Sequence, residues 1–288
     1  MNDPGMLQRE LLSWELPALA ALLGLMVGSF LNVVVYRLPR MLERSWRRDC
    51  EQFLELKPSF SDDRPYNLVW PRSHCVHCGS MIPWWNNLPI ISYALLRGKC
   101  GICKAPISWR YPLLELLTAV LSAVVVWRFG LTLQAVSGLF LTWSLMVLAA
   151  IDLEKQLLPD CLTLPTLWLG LLLSLFNVYT DSHSSIMGAA TGYLSLWLIY
   201  WLFKWVTGKD GMGYGDFKLL ALLGAWLGWT ALPWVILMSS LSGAVVGGLL
   251  MLVGRHQRGQ AIPFGPFIAL AGWITLIWGA SYDLLIGG

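Results

Sequence analysis

Long apolar segments recur along the whole of this chain, separated by short polar breaks. Hydrophobic residues make up 56% of its 288 residues and charged residues only 13%, against roughly 25% charged residues in a soluble domain. An apolar segment of about 20 residues can cross the ~30 Å hydrocarbon core of a bilayer as a helix. The sequence therefore predicts an all-α polytopic membrane protein.

We expect about eight transmembrane helices from these segments. The predicted spans are residues 16–36, 112–129, 133–151, 162–179, 186–205, 217–229, 232–253 and 262–280. The span at 217–229 is short, so seven helices is the alternative count. The first span could be a secretory signal, but residues 1–15 hold one Arg against three acidic residues, unlike the basic region that precedes such a signal. We expect it to be a retained helix.

The basic residues predict the orientation of these helices. If the arginines between residues 37 and 48 face the cytoplasm, alternation of the spans leaves only Arg9 and Arg128 outside, of 20 Lys and Arg residues. Arg255 and Arg258 then lie inside. Positive charge concentrates on the cytoplasmic side of membrane proteins. The amino terminus is therefore expected outside, and the net charge of +3 describes topology, not nucleic-acid binding.

One long polar stretch separates the first two spans. The chain is expected to divide into an amino-terminal segment with the first helix at 1–36, a cytoplasmic insert at 37–111 and a seven-helix membrane domain at 112–288. An independent domain as small as this insert commonly needs a structural metal for stability.

Four cysteines of the insert supply the expected metal ligands. Cys75 with Cys78, and Cys100 with Cys103, form two C-x-x-C pairs, a pattern typical of zinc ribbons. Disulfides are the competing interpretation, but they are rare in the reducing cytoplasm, where the topology places these thiols. Four sulfur ligands leave no open position for water, so the zinc is expected to be structural.

Two carboxylates at predicted helix ends are the candidates for chemistry. Acidic groups beside a span are costly and commonly functional. Asp152 ends an inward-running helix, where the helix dipole disfavours a negative charge. Asp216 precedes an outward-running helix and follows Gly211, Gly213 and Gly215, which are expected to let a peptide approach closely. Both aspartates should therefore lie at similar depth on the cytoplasmic side.

The aspartate pair predicts acid–base chemistry. Two close carboxylates cannot both ionise cheaply, so one keeps a proton. The anion can activate water while the acid polarises a scissile carbonyl, which makes Asp152 and Asp216 a candidate catalytic pair. Asp160, after Pro159, is expected to cap a helix start. The other classes considered are a proton-coupled transporter and a zinc-bearing assembly scaffold without chemistry.

The segment Gly213-Tyr214-Gly215-Asp216 resembles the G-x-G-D signature of intramembrane aspartic proteases, with Asp152 as its partner. Similarity to bacterial type IV prepilin peptidases extends over residues 27–39, the two cysteine pairs, and residues 110–115 and 262–266. The resemblance implies removal of the leader peptide from type IV prepilins and type II secretion pseudopilins. It also implies cleavage at the cytoplasmic face of the bacterial inner membrane, with Asp152 and Asp216 as catalytic residues.

The same resemblance implies a second activity. Family members with the four-cysteine insert also methylate the new amino terminus with S-adenosylmethionine. The chain has no glycine pattern typical of a Rossmann cofactor site. We expect the cofactor near the insert, with Gly98, Lys99 and Glu115 as candidates.

Overall fold

The computed structural model describes residues 4–56, 66–83, 85, 88–253 and 262–286, with side-chain environments given from residue 14 to residue 279 within those ranges. These residues form helices joined by turns, with isolated bridges and no strand. Arg255, Arg258 and the side chain of Arg9 lie outside the described residues. The contacts divide the chain into two compact units, Met1–Gly130 and Leu131–Gly288, whereas the division at 36 and 111 stays a prediction.

The part of the first unit that the structure describes forms three α-helices, α1 (Pro4–Phe53), α2 (Ile91–Leu95) and α3 (Arg110–Phe129). Helix α1 continues well beyond the predicted span end at residue 36, because the following residues are rich in Leu, Arg and Glu, which favour helix. The first part of the predicted insert is therefore a polar extension of α1.

Glycines allow α1 and α3 to pack closely. A Cβ added at Gly24 would lie 2.8 Å from the Ala119 Cα, and one at Gly28 would lie 2.8 Å from the Glu115 Cα. Small residues let helix backbones approach in this way in membranes, where dispersion contacts supply much of the attraction.

The described residues of the second unit form six further α-helices. In chain order they are α4 (Leu133–Lys155), α5 (Asp160–Ser174), α6 (Ser182–Thr207), α7 (Tyr214–Leu227), α8 (Leu232–Leu252) and α9 (Gly265–Ile286). Each predicted span lies on one helix for all or most of the span's length. The span at 162–179 is predicted too long, because a turn follows Ser174 in which Asn177 has a left-handed backbone, φ 51°, a conformation that stops a helix.

Among the described residues, five helices are long and apolar enough to cross a membrane: Trp14–Phe53, Arg110–Phe129, Leu133–Lys155, Ser182–Thr207 and Trp229–Leu252. The segments Asp160–Ser174 and Gly265–Gly279 are shorter apolar helices. The chain is thus an all-helical, multi-pass membrane protein, as its apolar segments predict. The exact count of eight spans stays a prediction.

Helix α7 lies at the centre of the second unit and positions one of the two candidate aspartates. It packs against α5, α6 and α9, and Phe217, Leu219, Leu222 and Leu223 are fully buried. This helix can be short because protein, not lipid, surrounds it. Asp216 is carried in its first turn.

Candidate active site and metal site

Asp152 lies in the last turn of α4 and is only 5% exposed. Gln156 ends the helix by taking a left-handed backbone, φ 52°, and its N–H donates to the Asp152 carbonyl oxygen at 2.9 Å. The Asp152 carboxylate accepts a hydrogen bond from the Gly265 N–H at 3.0 Å. Because Gly265 opens α9, this N–H is one of the donors that a helix start leaves free.

Asp216 lies in the first turn of α7 and is 7% exposed. Its backbone N–H donates to the Gly213 carbonyl oxygen at 3.2 Å, which closes the turn that begins the helix. Its surroundings meet those of Asp152 at Leu158, whose Cδ1 lies 3.1 Å from the Cβ position of Gly215 and 3.4 Å from that of Gly265. The structure therefore brings the two predicted aspartates together within one compact unit.

Leu158 fills the space beside both aspartates. A Cβ at Gly215 would lie 2.9 Å from the Leu158 Cβ, and one at Gly265 would lie 2.6 Å from the Asp152 Oδ2 and 3.4 Å from the Leu158 Cδ1. Gly215 therefore makes room for Leu158, where the sequence predicted room for a peptide. Gly213 differs, because the nearest atom to its Cβ position is the Asp216 Oδ2 at 3.9 Å.

A second group of side chains holds the segment before α7. The Tyr200 hydroxyl donates to Asp210 at 2.6 Å, and the Lys204 Nζ contacts the same carboxylate at 2.8 Å. The hydrogen bond from Lys204, followed by that from Tyr200, holds the pKa of Asp210 below its ordinary value. This group was not predicted from the sequence, where its local signal is the one-turn spacing of Tyr200 and Lys204.

The expected role of Asp160 as a helix cap is wrong. Pro159 occupies the cap position of α5 without a side-chain hydrogen bond. Both Asp160 oxygens accept from the Lys218 Nζ, each at 2.7 Å. Asp160 lies one residue past the cap position, in the first turn of α5, where its carboxylate makes a charge-assisted contact with a lysine of α7 instead.

The four predicted cysteine ligands converge in the first unit. The sulfur atoms of Cys75, Cys78, Cys100 and Cys103 all lie within 4.8 Å of one another, and those of Cys75 and Cys103 are 3.8 Å apart. A tetrahedral site with Zn–S bonds of about 2.3 Å places its sulfurs about 3.8 Å apart. The donor set therefore fits a structural zinc ion.

The two cysteine pairs have matching backbone geometry. The Gly79 N–H donates to the Cys75 carbonyl oxygen at 2.9 Å, and the Lys104 N–H donates to that of Cys100 at 3.1 Å. Gly79 and Lys104 both have left-handed backbones, φ 68° and 58°. An antiparallel bridge closes each turn, His74 with Met81 and Lys99 with Pro106. Such paired turns present two thiolates each towards one centre.

The cofactor candidates Gly98 and Lys99 lie just before the second cysteine pair. Gly98 has a left-handed backbone, φ 68°, and a Cβ there would lie 3.0 Å from the Tyr93 hydroxyl oxygen. The Tyr93 ring thus occupies the space that a side chain would take, and Gly98 offers no open cradle at this point. Their assignment to S-adenosylmethionine stays a prediction.

Glu115, the third cofactor candidate, is 8% exposed on α3. Its Oε2 accepts from the Ile90 N–H at 2.8 Å, and the side chains of Ser29 and Asn32 also hydrogen-bond to its carboxylate. These bonds join α1, α3 and the segment before α2. They support an anchoring role for Glu115, and its part in cofactor binding stays a prediction.

Apolar helices that hold two buried carboxylates at adjoining helix ends define a polytopic membrane protein with a candidate aspartic peptidase site. Two family models match the chain. Residues 22–129 match the bacterial peptidase A24 N-terminal domain, and residues 139–248 match the type IV leader peptidase family. The chain belongs to the type IV leader peptidase family.

Curated relatives extend this similarity over nearly the whole chain. A Pseudomonas aeruginosa protein named prepilin leader peptidase/N-methyltransferase is 55% identical over 90% of this chain and 89% of its own length. Proteins of the same name from Pseudomonas putida and Aeromonas hydrophila are 56% identical (91% of this chain, 90% of the relative) and 52% identical (94% and 93%). No solved structure matches the chain.

Proposed function

We propose that this protein is a prepilin leader peptidase and N-methyltransferase. It removes the leader peptide from type IV prepilins and methylates the amino terminus that cleavage creates. The observation that carries the peptidase proposal is the meeting of Asp152 and Asp216 at the ends of α4 and α7. Relatives of this name support both activities, whereas nothing in them supports a transporter or a scaffold.

The aspartate pair performs the hydrolysis. The ionised carboxylate takes a proton from a water molecule while the water oxygen attacks the scissile carbonyl carbon, and the protonated carboxyl donates a hydrogen bond to the carbonyl oxygen. The carbon–nitrogen bond then breaks, and the leaving nitrogen receives a proton from the pair. The two carboxylates titrate jointly, so neither Asp152 nor Asp216 is assigned the proton.

The Gly265 N–H supports this chemistry by its position. It donates to the Asp152 carboxylate at 3.0 Å, which fixes the carboxylate and favours a negative charge on it. The positive end of the α9 dipole lies at the same point and offsets the negative end of the α4 dipole. Asp152 is therefore oriented before a substrate arrives, which lowers the cost of reaching the reactive geometry.

The four-cysteine cluster holds a structural zinc ion that stabilises the segment between α1 and α3. Four thiolates fill a tetrahedral shell, so the ion has no position for water and takes no part in hydrolysis. S-adenosylmethionine supplies the methyl group for the second activity when it is bound.

The protein acts in the bacterial inner membrane on prepilins and on type II secretion pseudopilins. The support for its orientation, with the amino terminus outside and the peptidase site facing the cytoplasm, is the concentration of basic residues on one side of the predicted topology. A site at the end of two helices, at the boundary of lipid and water, suits a substrate whose leader is polar and whose following segment is apolar.

The proposal is tested with purified protein in detergent, a synthetic prepilin and S-adenosylmethionine. Mass spectrometry of the products should show a released leader and a mature peptide that carries one methyl group at its new amino terminus. Without S-adenosylmethionine, cleavage should continue and methylation should stop. An intact prepilin after prolonged incubation with folded protein would overturn the proposal, and proton flux through the protein in sealed vesicles would favour a transporter.

A further inference from the structure

An ion pair lies beside the aspartate pair and has no role in the hydrolysis described above. The Lys218 Nζ contacts both oxygens of Asp160 at 2.7 Å, and the Lys218 and Asp160 side chains are 31% and 52% exposed. Lys218 lies two residues after Asp216 on α7. Asp160 opens α5, the helix that follows Asp152 in the chain.

The segment that carries Asp160 is in contact with the surroundings of both aspartates. Leu158 lies 2.9 Å from the Cβ position of Gly215, which precedes Asp216, and 3.4 Å from that of Gly265, which binds Asp152. The α4–α5 connection therefore runs past both carboxylates, and the ion pair fastens it to α7. Asp160 lies eight residues after Asp152 and Lys218 two residues after Asp216, so both charges are carried on the segments that hold the aspartates.

The charge of Lys218 matters because hydrolysis needs one proton on the aspartate pair. An unpaired cation near two carboxylates favours their ionised forms, and a pair that loses its shared proton has no acid to polarise the scissile carbonyl. We propose that Asp160 neutralises Lys218 and so keeps one proton on the Asp152 and Asp216 pair. The inference rests on the proposed peptidase function of that pair, and it makes Asp160 and Lys218 positioning residues.

Other ionisable groups on the helices around the aspartate pair do not take the place of the Lys218–Asp160 ion pair. Lys204 pairs with Asp210 at 2.8 Å, and Glu154 and Lys155 are exposed and have interactions of their own. The described side chains of α8 and α9, residues 232–252 and 265–279, include no ionisable group. The remaining ionisable side chains on α5, α6, α7 and the segment between α6 and α7 are Cys161, His183, Tyr193, Tyr200, Lys209 and Tyr214.

The test is the pH profile of leader cleavage by purified variants at fixed ionic strength. A pair that needs one proton gives a bell-shaped profile. Asp160→Asn frees the Lys218 charge, so both limbs should move to lower pH by about half a unit or more. Lys218→Gln should move the profile to higher pH, because Asp160 is then an unpaired anion. The double variant should return towards the wild-type profile.

A purely structural role for the ion pair would have a different result. It would lower the rate at every pH without moving either limb, and the double variant would not restore the profile. The matched control is Asp181→Asn. Asp181 caps the start of α6, at the opposite end of that helix from Lys204, and Asn can still cap the helix there. Its profile should coincide with that of the wild type.

Failure of this inference is distinguishable from failure of the peptidase proposal. An unmoved profile for Asp160→Asn, with Asp152→Asn and Asp216→Asn inactive at every pH, overturns only the role of the ion pair. Cleavage by Asp152→Asn or Asp216→Asn would overturn the peptidase assignment itself. Thermal unfolding of each variant in the same detergent shows that it is folded.

Discussion

The backbone N–H of Gly265 donates a hydrogen bond to the Asp152 carboxylate at 3.0 Å. This bond joins the end of α4 to the start of α9. The carboxyl end of α4 disfavours the negative charge of Asp152, whereas the amino end of α9 favours it. Asp152 is therefore held in place by backbone, which cannot rotate away as a side chain can.

Gly265→Ala should impair cleavage because the added Cβ would lie 2.6 Å from the Asp152 Oδ2. The carboxylate must move away, and a displacement of this kind at a reacting group can lower the rate roughly a hundredfold. The measurement is kcat for leader cleavage. Gly248→Ala on α8, where the Cβ position has no neighbour within 4 Å, should retain the wild-type rate.

Gly188→Val should destabilise the second unit. A Cβ at Gly188 would collide with the Gly224 carbonyl oxygen, so α6 and α7 must separate, at a cost of roughly 1–3 kcal/mol. The Tm in detergent should fall. Gly248→Val is the control, because it changes helix propensity in the same way without the collision. An equal fall in Tm for both variants would contradict the packing of α6 on α7.

Cys100→Ser should abolish zinc binding. The purified wild-type protein should contain about one zinc ion per chain by elemental analysis, and the variant should contain almost none. Loss of the ion removes its contribution to folding, so proteolysis between α1 and α3 should become faster. Cys161→Ser, at an exposed cysteine outside the cluster, should retain the zinc, and full zinc content in Cys100→Ser would exclude the four-sulfur site.

Asp210→Asn should change stability only slightly. The Lys204–Asp210 pair is largely exposed, and solvent screens such pairs so that they contribute little to stability. Because the pKa of folded Asp210 is lowered, chiefly by the hydrogen bond from Lys204, any contribution is present above the unfolded value of about 3.9 and is lost as the pH falls through the folded value. A large decrease in Tm at neutral pH would contradict this description.

Local patterns in the sequence predict much of this structure. The apolar segments predict where the long helices lie, and the spacing of Cys75, Cys78, Cys100 and Cys103 predicts their convergence. Repeating patterns of this kind reflect requirements that act within a helix or a turn. The meeting of Asp152 and Asp216 is predicted too, because alternating helices place both residues at one membrane face.

The hydrogen-bond and ion-pair partners of these side chains come from distant parts of the chain. Gly265 is 113 residues from Asp152, and Lys218 is 58 residues from Asp160. Their contacts arise from the packing of α9 on α4 and of α7 on α5, which no local pattern specifies. The sequence therefore predicts a cap for Asp160, where the tertiary structure supplies a lysine instead.

Leader cleavage by Asp152→Asn and Asp216→Asn is the most direct measurement of the central claim, that the two carboxylates form one hydrolytic site. Each neutral, nearly isosteric variant should lose cleavage while it still methylates a pre-cleaved peptide, which shows that the protein is folded. Cleavage at a substantial rate by either variant would contradict the account.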